Sequence, residues 1–470
     1  MTTNQSKILV LSISLSLLIG CANQKYAAKP LEPAQTSAKL LNKNANSSDF
    51  KSYLIKQGYS ESALPFTEWG LDELTWCALY YHTKLDVAKA QLALANATMQ
   101  SAGQKTIPTI NANLAHSNQK NGDIQPWAYG LNVEIPIETG NKRQLRVEEA
   151  QNLAEAARMD VAESAWQLRS QIASDLINYH ENQANTRLLD EELAIENNIV
   201  SMLQARLAQG LISNTELHSA QLLQQKTQFS LNAALAKTPE LRSKLAADIG
   251  LSTEKFASVK LKPLAIASTI QQQSTLFNAP AKAIELRQSA LLNRIDIRRS
   301  LAKYAAAESK IKLEIAKQTP DISLTPGLAF EFGDSIWSLG FSRLLQLLNK
   351  NNALNQLLIA ESTQLREVEG AQFEALQAQV IADLDQSYTR MSASQQNLQQ
   401  AKQAYAAQLT HMQKLQKQLN AGLIDRLQLT QASLNTVLSK QQVSHTQFTW
   451  LKASAAIEDV IQRPIFINNN

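Results

Sequence analysis

Cysteine is nearly absent from this chain, with two in 470 residues, which excludes a disulfide framework. Glycine and proline are scarce too, at 14 and 12, which rules out a collagen-like fibre and a Pro/Gly-rich disordered polymer. Charge of one sign does not dominate: 45 Lys and Arg face 41 Asp and Glu, with no block of like charges, so nothing marks a nucleic-acid partner. No apolar run reaches the roughly 18 residues of a membrane-spanning helix. There is no phosphate-binding Gly loop, Gly-x-Ser-x-Gly or His-Glu-x-x-His, and no carboxylate pair isolated in an apolar setting. The six histidines are scattered without metal-ligand spacing. No catalytic residue, metal site or cofactor is therefore expected. What the chain does have is abundant Ala, Leu and Gln, the composition of long uninterrupted helices.

At the N-terminus, Lys7 precedes an apolar run from Ile8 to Ile19, and Leu18-Ile19-Gly20 leads into Cys21. This layout resembles a bacterial lipoprotein signal, so Cys21 is the expected lipid-bearing residue. Ala22 stands where such signals place Asp for inner-membrane retention, so the resemblance implies export to the outer membrane. Cys77, after Trp76 in an apolar helical stretch, reads as a buried structural thiol.

The chain repeats itself. Leu207, Gly210, Leu211, Ile212, Leu217 and Ala220 return 212 residues later as Leu419, Gly422, Leu423, Ile424, Leu429 and Ala432. The same offset carries Pro108 onto Pro320, and Trp127 and Gly130 return as Trp337 and Gly340 with a two-residue slip. The expected organisation is a signal at 1–20, a linker at 21–67, a first repeat at 68–248, an inter-repeat equatorial segment at 249–284, a second repeat at 285–460 and a tail at 461–470. Each repeat reads as helix, strand pair, very long helix, tight turn and helix.

Four stretches alternate with period two, at about 108–118, 127–138, 320–332 and 335–343. Ile110, Ala112 and Leu114 alternate with Asn111 and Asn113, and Leu131, Val133 and Ile135 with Asn132 and Glu134. Leu324, Leu328 and Phe330 alternate with Ser323, Thr325 and Glu331, and Gly333-Asp334 supplies a hairpin turn. A soluble sheet would lay its apolar face on helices; a barrel in lipid turns that face outward. Export, and Trp127, Tyr129 and Trp337 near strand ends as interfacial anchors, favour lipid. Four strands cannot close a barrel, and open edges are not tolerated in hydrocarbon, so other copies must complete it; a trimer gives twelve strands.

From Lys142 a helical pattern holds without Pro or Gly up to Gly210, about 100 Å at 1.5 Å per residue. Leu193, Val200 and Leu207 recur at seven, as do Leu398, Tyr405, Met412 and Leu419, so neighbouring helices can pack as in coiled coils. Lys142, Arg143 and Arg146 open this helix, where the dipole disfavours cations. Lipid phosphates or simple solvation are the two compensations the sequence suggests.

In their order, the signal, the duplicated layout, the junction Glu134-Ile135-Pro136-Ile137-Glu138-Thr139-Gly140-Asn141-Lys142-Arg143, the segment Arg294-Ile295-Asp296-Ile297-Arg298 and the two turns make the chain similar to TolC-family outer-membrane efflux proteins over roughly residues 68–460. Asn141 and Ile295 stand where that family usually has Gly and Pro. The resemblance implies a mainly α fold with a membrane β-barrel: a homotrimer whose twelve strands continue into a periplasmic α-helical tunnel. It implies a passive exit duct in outer-membrane lipid, served by a periplasmic adaptor protein and an inner-membrane transporter. The adaptor would dock on the turns at 210–213 and 422–425, that is Gly210, Leu211, Ile212, Gly422, Leu423 and Ile424. Some members carry an acidic ring six and nine positions after the second glycine; here Gln428 and Gln431 occupy those places, and Glu216, Asp425 and Arg426 become the aperture candidates. Glu134, Glu138, Asp321 and Glu331 are the expected lumen-facing acids, which with the Ile-Glu-Thr-Gly junction suggest heavy-metal cations as cargo. The competing readings are a polypeptide-secretion duct of the same fold and a periplasmic coiled-coil scaffold lipoprotein, which would not need the four strands.

Overall fold

The computed structural model describes residues 26–118, 126–277, 280–331, 334–342 and 353–464. Cys21, the signal and Gly333 lie outside the described residues. The chain divides into two units, Met1–Lys43 and Asn44–Asn470. In the first, helix α1 (Pro33–Leu41) opens with proline in its first turn, where a missing N–H is harmless, and has no buried residue.

The second unit begins with α2 (Ser48–Lys56), capped by the Ser47 hydroxyl, and α3 (Leu71–Tyr81). The first repeat then runs α4 (Thr83–Ala102), β1 (Thr109–His116), β2 (Trp127–Ile137), α5 (Lys142–Ala208) and α6 (Asn214–Asp248). Three short helices follow: α7 (Thr253–Phe256), α8 (Ile266–Phe277) and α9 (Pro280–Asn293). The second repeat runs α10 (Ile295–Ala316), β3 (Ile322–Glu331), β4 (Asp334–Ser342), α11 (Ala353–Asn420) and α12 (Arg426–Ile461).

Helix α5, 67 residues long, contacts α3, α4, α6, α10 and α12. No single apolar stripe runs along it. Its buried side chains instead serve three separate cores as its face turns past successive neighbours. The first core joins Ile172, Leu176 and Tyr179 of α5 to Phe50, Leu54, Trp69, Leu74 and Leu245, and contains Cys77, which is fully buried with Sγ 3.9 Å from the Ile249 carbonyl oxygen. The second gathers Ile297, Val380, Leu384, Phe448, Trp450 and Ile457, with Ile177 from α5. The third, toward the turns, packs Ile199, Val200 and Leu203 against Leu217 and Leu427.

The four strands form one antiparallel sheet in the order β1-β2-β3-β4. Register places most of the large apolar residues of all four on one face, Ile336 standing on the other. Leu114 lies opposite Tyr129, which lies opposite Phe330; Ala112, Leu131, Leu328 and Trp337 form the next row; Ile135, Leu324 and Phe341 line up further along. Because side chains alternate faces with period two, a one-residue slip in any strand would break these rows.

Candidate functional site

Among the described residues, no part of the chain covers the apolar face of this sheet. Ile110, Leu114, Leu131, Leu339 and Phe341 are all more than half exposed, and Trp337 is 80% exposed. Strands β1 and β4 are both edges, so among the described residues each has one row of backbone groups without a partner strand. Such an arrangement is stable only where apolar surface costs nothing and the edges meet other strands. The opposite face carries Asn111, Asn113, Thr325 and Ser338. Ser323 also belongs to that face but is 8% exposed, so it does not line an open polar surface.

Where strands meet helices, the structure corrects two expectations. Glu138 lies just beyond β2 and Asp321 just before β3, and neither presents a free acid on a strand face. Glu138 takes a bidentate pair from Arg146 at 2.6 and 3.1 Å. Asp321 accepts from Lys142 Nζ at 2.7 Å and from the Thr139 N–H at 3.0 Å. Lys142, 6% exposed, also donates to the Thr319 carbonyl. The cations that the helix dipole disfavours are thus offset by carboxylates of the adjoining strands, so neither lipid phosphate nor plain solvation is needed for Lys142 and Arg146. Arg143 remains exposed. Of the other two acids, Glu134 sits on β2 opposite Thr109, and Glu331 pairs across the β3–β4 hairpin with Asp334.

The two turns share one backbone solution. Helix α5 ends with Leu211 N–H bonded to the Arg206 carbonyl and Gly210 N–H to the Leu207 carbonyl; α11 ends with Leu423 N–H on Gln418 and Gly422 N–H on Leu419. This is the Schellman pattern, which places the glycine in the left-handed region. Gly210 and Gly422 have φ of +72° and +73°. Nothing lies within 4 Å of a Cβ built on either, so the requirement is conformational alone. Leu211 and Leu423 stand 67% and 75% exposed, while Ile212 and Ile424 are half-buried.

The helices leaving the turns are capped by side chains. Ser213 accepts from the Glu216 N–H and Asp425 from the Gln428 N–H at 2.9 Å. Asp425 also pairs with Arg206 at 2.8 Å, tying the end of α5 to the start of α12. The Arg206 hydrogen bond, then the Gln428 backbone, hold its carboxyl below the usual range. Of the aperture candidates, Asp425 is therefore a cap and a bridge, whereas Glu216, Arg426, Gln428 and Gln431 are exposed around it. Arg206 was not singled out by the sequence, because its partner lies 219 residues away. A basic residue in the last helical turn is the one local signal that pointed to it.

A model of the outer membrane efflux protein family matches residues 78–250. The cobalt-zinc-cadmium resistance protein CzcC of Cupriavidus metallidurans is 25% identical over 196 residues, covering 42% of this chain and 44% of CzcC. The pyoverdine export outer membrane protein OpmQ of Pseudomonas aeruginosa is 23% identical over 301 residues, covering 59% of this chain and 61% of OpmQ. The chain thus spans less than two thirds of the length of either relative. The fold superposes on the outer membrane protein VceC of Vibrio cholerae with a TM-score of 0.64, at 17% identity, over 83% of this chain and 95% of VceC. Over residues 78–250 the chain is similar to the outer membrane efflux protein family.

Both departures from the segments usual in the efflux family that the chain resembles have a physical reason. Asn141 follows Gly140, and both have positive φ, +57° and +67°; asparagine is among the few side chains that accept that region, so it can replace a second glycine. Ile295 replaces a proline and uses the N–H that proline lacks, donating to Gln462 Oε1 at 2.7 Å. Beside it Arg294 forks onto Asp296 at 3.0 and 2.7 Å and donates to the Val460 carbonyl. Burial alone would raise the Asp296 carboxyl, but the Arg294 fork outweighs it and holds that group low. The segment that opens the second repeat is thus locked to the end of α12.

Proposed function

We propose that this chain is the outer-membrane exit duct of a tripartite efflux system. Three copies close their sheets edge to edge into a twelve-stranded barrel in outer-membrane lipid, anchored further by the lipidated Cys21. The observation that carries this reading is the sheet: four strands whose apolar rows coincide in register and, among the described residues, lie uncovered and end in two open edges. On this reading the long helices form the periplasmic tunnel, and the turns at Gly210-Leu211-Ile212 and Gly422-Leu423-Ile424 receive the adaptor that links the duct to an inner-membrane transporter. The protein conducts passively and performs no bond chemistry of its own. The scaffold alternative has no use for the sheet.

Heavy-metal cations are the favoured cargo, supported by the similarity to a protein whose name records resistance to cobalt, zinc and cadmium. Glu134 remains on the polar strand face as a cation-friendly group. A siderophore-like organic cargo is the second reading, favoured by the longer match to a pyoverdine exporter. The test is the susceptibility of a deletion strain to divalent metal salts beside dyes, detergents, antibiotics and siderophore secretion, with complementation. Selective metal sensitivity supports the first reading, and lost siderophore export the second. An unchanged strain whose purified protein forms no channels in planar bilayers overturns the duct itself.

A further inference from the structure

Along α5, between the Trp450 core and the core beneath the turns, Glu192 and Glu196 stand one helical turn apart on the face that packs against α6 and α12. Their exposures are 8% and 6%. Glu192 receives a hydrogen bond from Thr227 Oγ1 of α6 at 3.2 Å and another from Gln441 Nε2 of α12 at 2.6 Å. It therefore pins the helix that returns from the first turn and the helix that leaves the second to the same point of α5. Glu196, nearer the turns, shares the Thr227 hydroxyl, and its Oε2 is buried with no partner.

The donors do not suffice for two carboxylates. Thr227 has one hydroxyl proton, and Gln441 divides its amide between Glu192 and the Leu188 carbonyl at 3.4 Å. No cation balances the pair: among the described residues neither acid enters an ion pair, Lys440 on α12 is bound to Glu191 at 2.7 Å, and Lys226 on α6 is exposed. Two ionised carboxylates buried in a seam with no counter-charge among the described residues carry a desolvation cost that one proton removes.

We propose that Glu192 and Glu196 hold one proton between them while the seam of α5 with α6 and α12 is closed, and that its release loosens this seam. The protonated Glu196 supplies the missing donor, and its loss leaves two anions facing neutral side chains. Burial, reinforced by the charge of Glu192 against the opposing Thr227 hydrogen bond, raises the Glu196 carboxyl. The sign follows from linkage. The closed seam binds a proton that the open seam releases, so opening is favoured as pH rises from the ordinary glutamate value of 4.5 toward the raised one. Within that window the opening constant grows by up to about tenfold per pH unit, the limit for one linked proton.

The test is hydrogen exchange by mass spectrometry on the full-length assembly in detergent, from about pH 5 to 8, with intrinsic rates divided out. Peptides covering 188–200, 222–231 and 436–443 should open more with pH in the wild type, and in Glu196→Gln should stay closed with no slope. Glu192→Gln, which removes the charge that helps raise the Glu196 carboxyl and offers its ionised form an amide donor, should shrink the rise and end it at lower pH. Glu191→Gln, outside the buried pair, should keep the wild-type slope. A flat wild type, or a Glu196→Gln protein with unchanged slope, overturns the proposal. These readouts are independent of cargo, so they stand or fall separately from the efflux reading.

Discussion

Replacing Asp425 by Asn and by Ala separates the two contributions this side chain makes. Asn keeps the cap on the Gln428 N–H but loses the charge paired with Arg206, whose partners are 33% and 45% exposed. Such an exposed pair is worth about 0.2–1 kcal/mol, so the Asn variant should lose little. Ala also removes the cap, adding about 1 kcal/mol of local stability. Because the Asp425 carboxyl is held below the ordinary aspartate value of 3.8, its contribution is complete above about pH 4 and is lost only as pH falls through the lowered value. Hydrogen exchange of residues 425–430 at several acid pH values checks both statements. At the strand–helix junction, Lys142→Met removes from Asp321 the ammonium donor at 2.7 Å while leaving the Thr139 N–H in place. Asp321 is 34% exposed, so the loss should be about 1–3 kcal/mol, below that of a fully buried pair. Adding Asp321→Asn should recover part of it, as read by thermal unfolding of the purified assembly.

Among elements, the turns and the strands invite opposite experiments. Gly422→Ala should cost about 1 kcal/mol through φ alone, since no atom lies within 4 Å, and should leave assembly intact while changing adaptor binding in a pull-down. Gly140→Ala should cost more, because its Cβ would stand 3.2 Å from the Ala316 carbonyl oxygen. In the sheet, Leu131→Lys should prevent assembly in detergent and in cells. Ser338→Lys, exposed on the opposite face, should assemble and alter conductance in planar bilayers; equal tolerance at both positions would sink the lipid-facing assignment. These elements were legible in the sequence for a local reason. Strand alternation and helix length depend on near neighbours, and Gly210 and Gly422 announce a turn by the φ they alone accept easily. The junction was read less well: Glu138 and Asp321 looked like free acids because their partners Arg146 and Lys142 belong to another element. Asp321 and Lys142 stand 179 residues apart. Arg206 with Asp425, and Arg169 with Glu458, eluded the sequence in the same way.

At the scale of the whole molecule, closure through copies is the claim most open to test. Edges β1 and β4 are separated by β2 and β3, hence by about 14 Å at the usual strand spacing. A disulfide needs Cα atoms within about 7 Å. Cysteines placed along β1 at Asn111 or Asn113 and along β4 at Ser338 or Ser342 should therefore cross-link between chains and never within one; monomer as the only product would refute a closed ring. Cys77, fully buried, should not interfere.

The duplication also shapes what a partner can recognise. The two turns are copies in backbone but not in chemistry: one is followed by Ser213 and Glu216, the other by Asp425 and Arg426, and the bridge from Arg206 has no repeat-related counterpart, since Gln418 and Ser213 occupy those places. An assembly built on this chain would present two kinds of turn in alternation. Identical copies of a partner that gripped every turn would have to ignore the charges and read what the halves share, a left-handed glycine and the outward leucine after it. A partner that reads charge would find a foothold at every second turn, so the stoichiometry of the bound partner reports which language it uses.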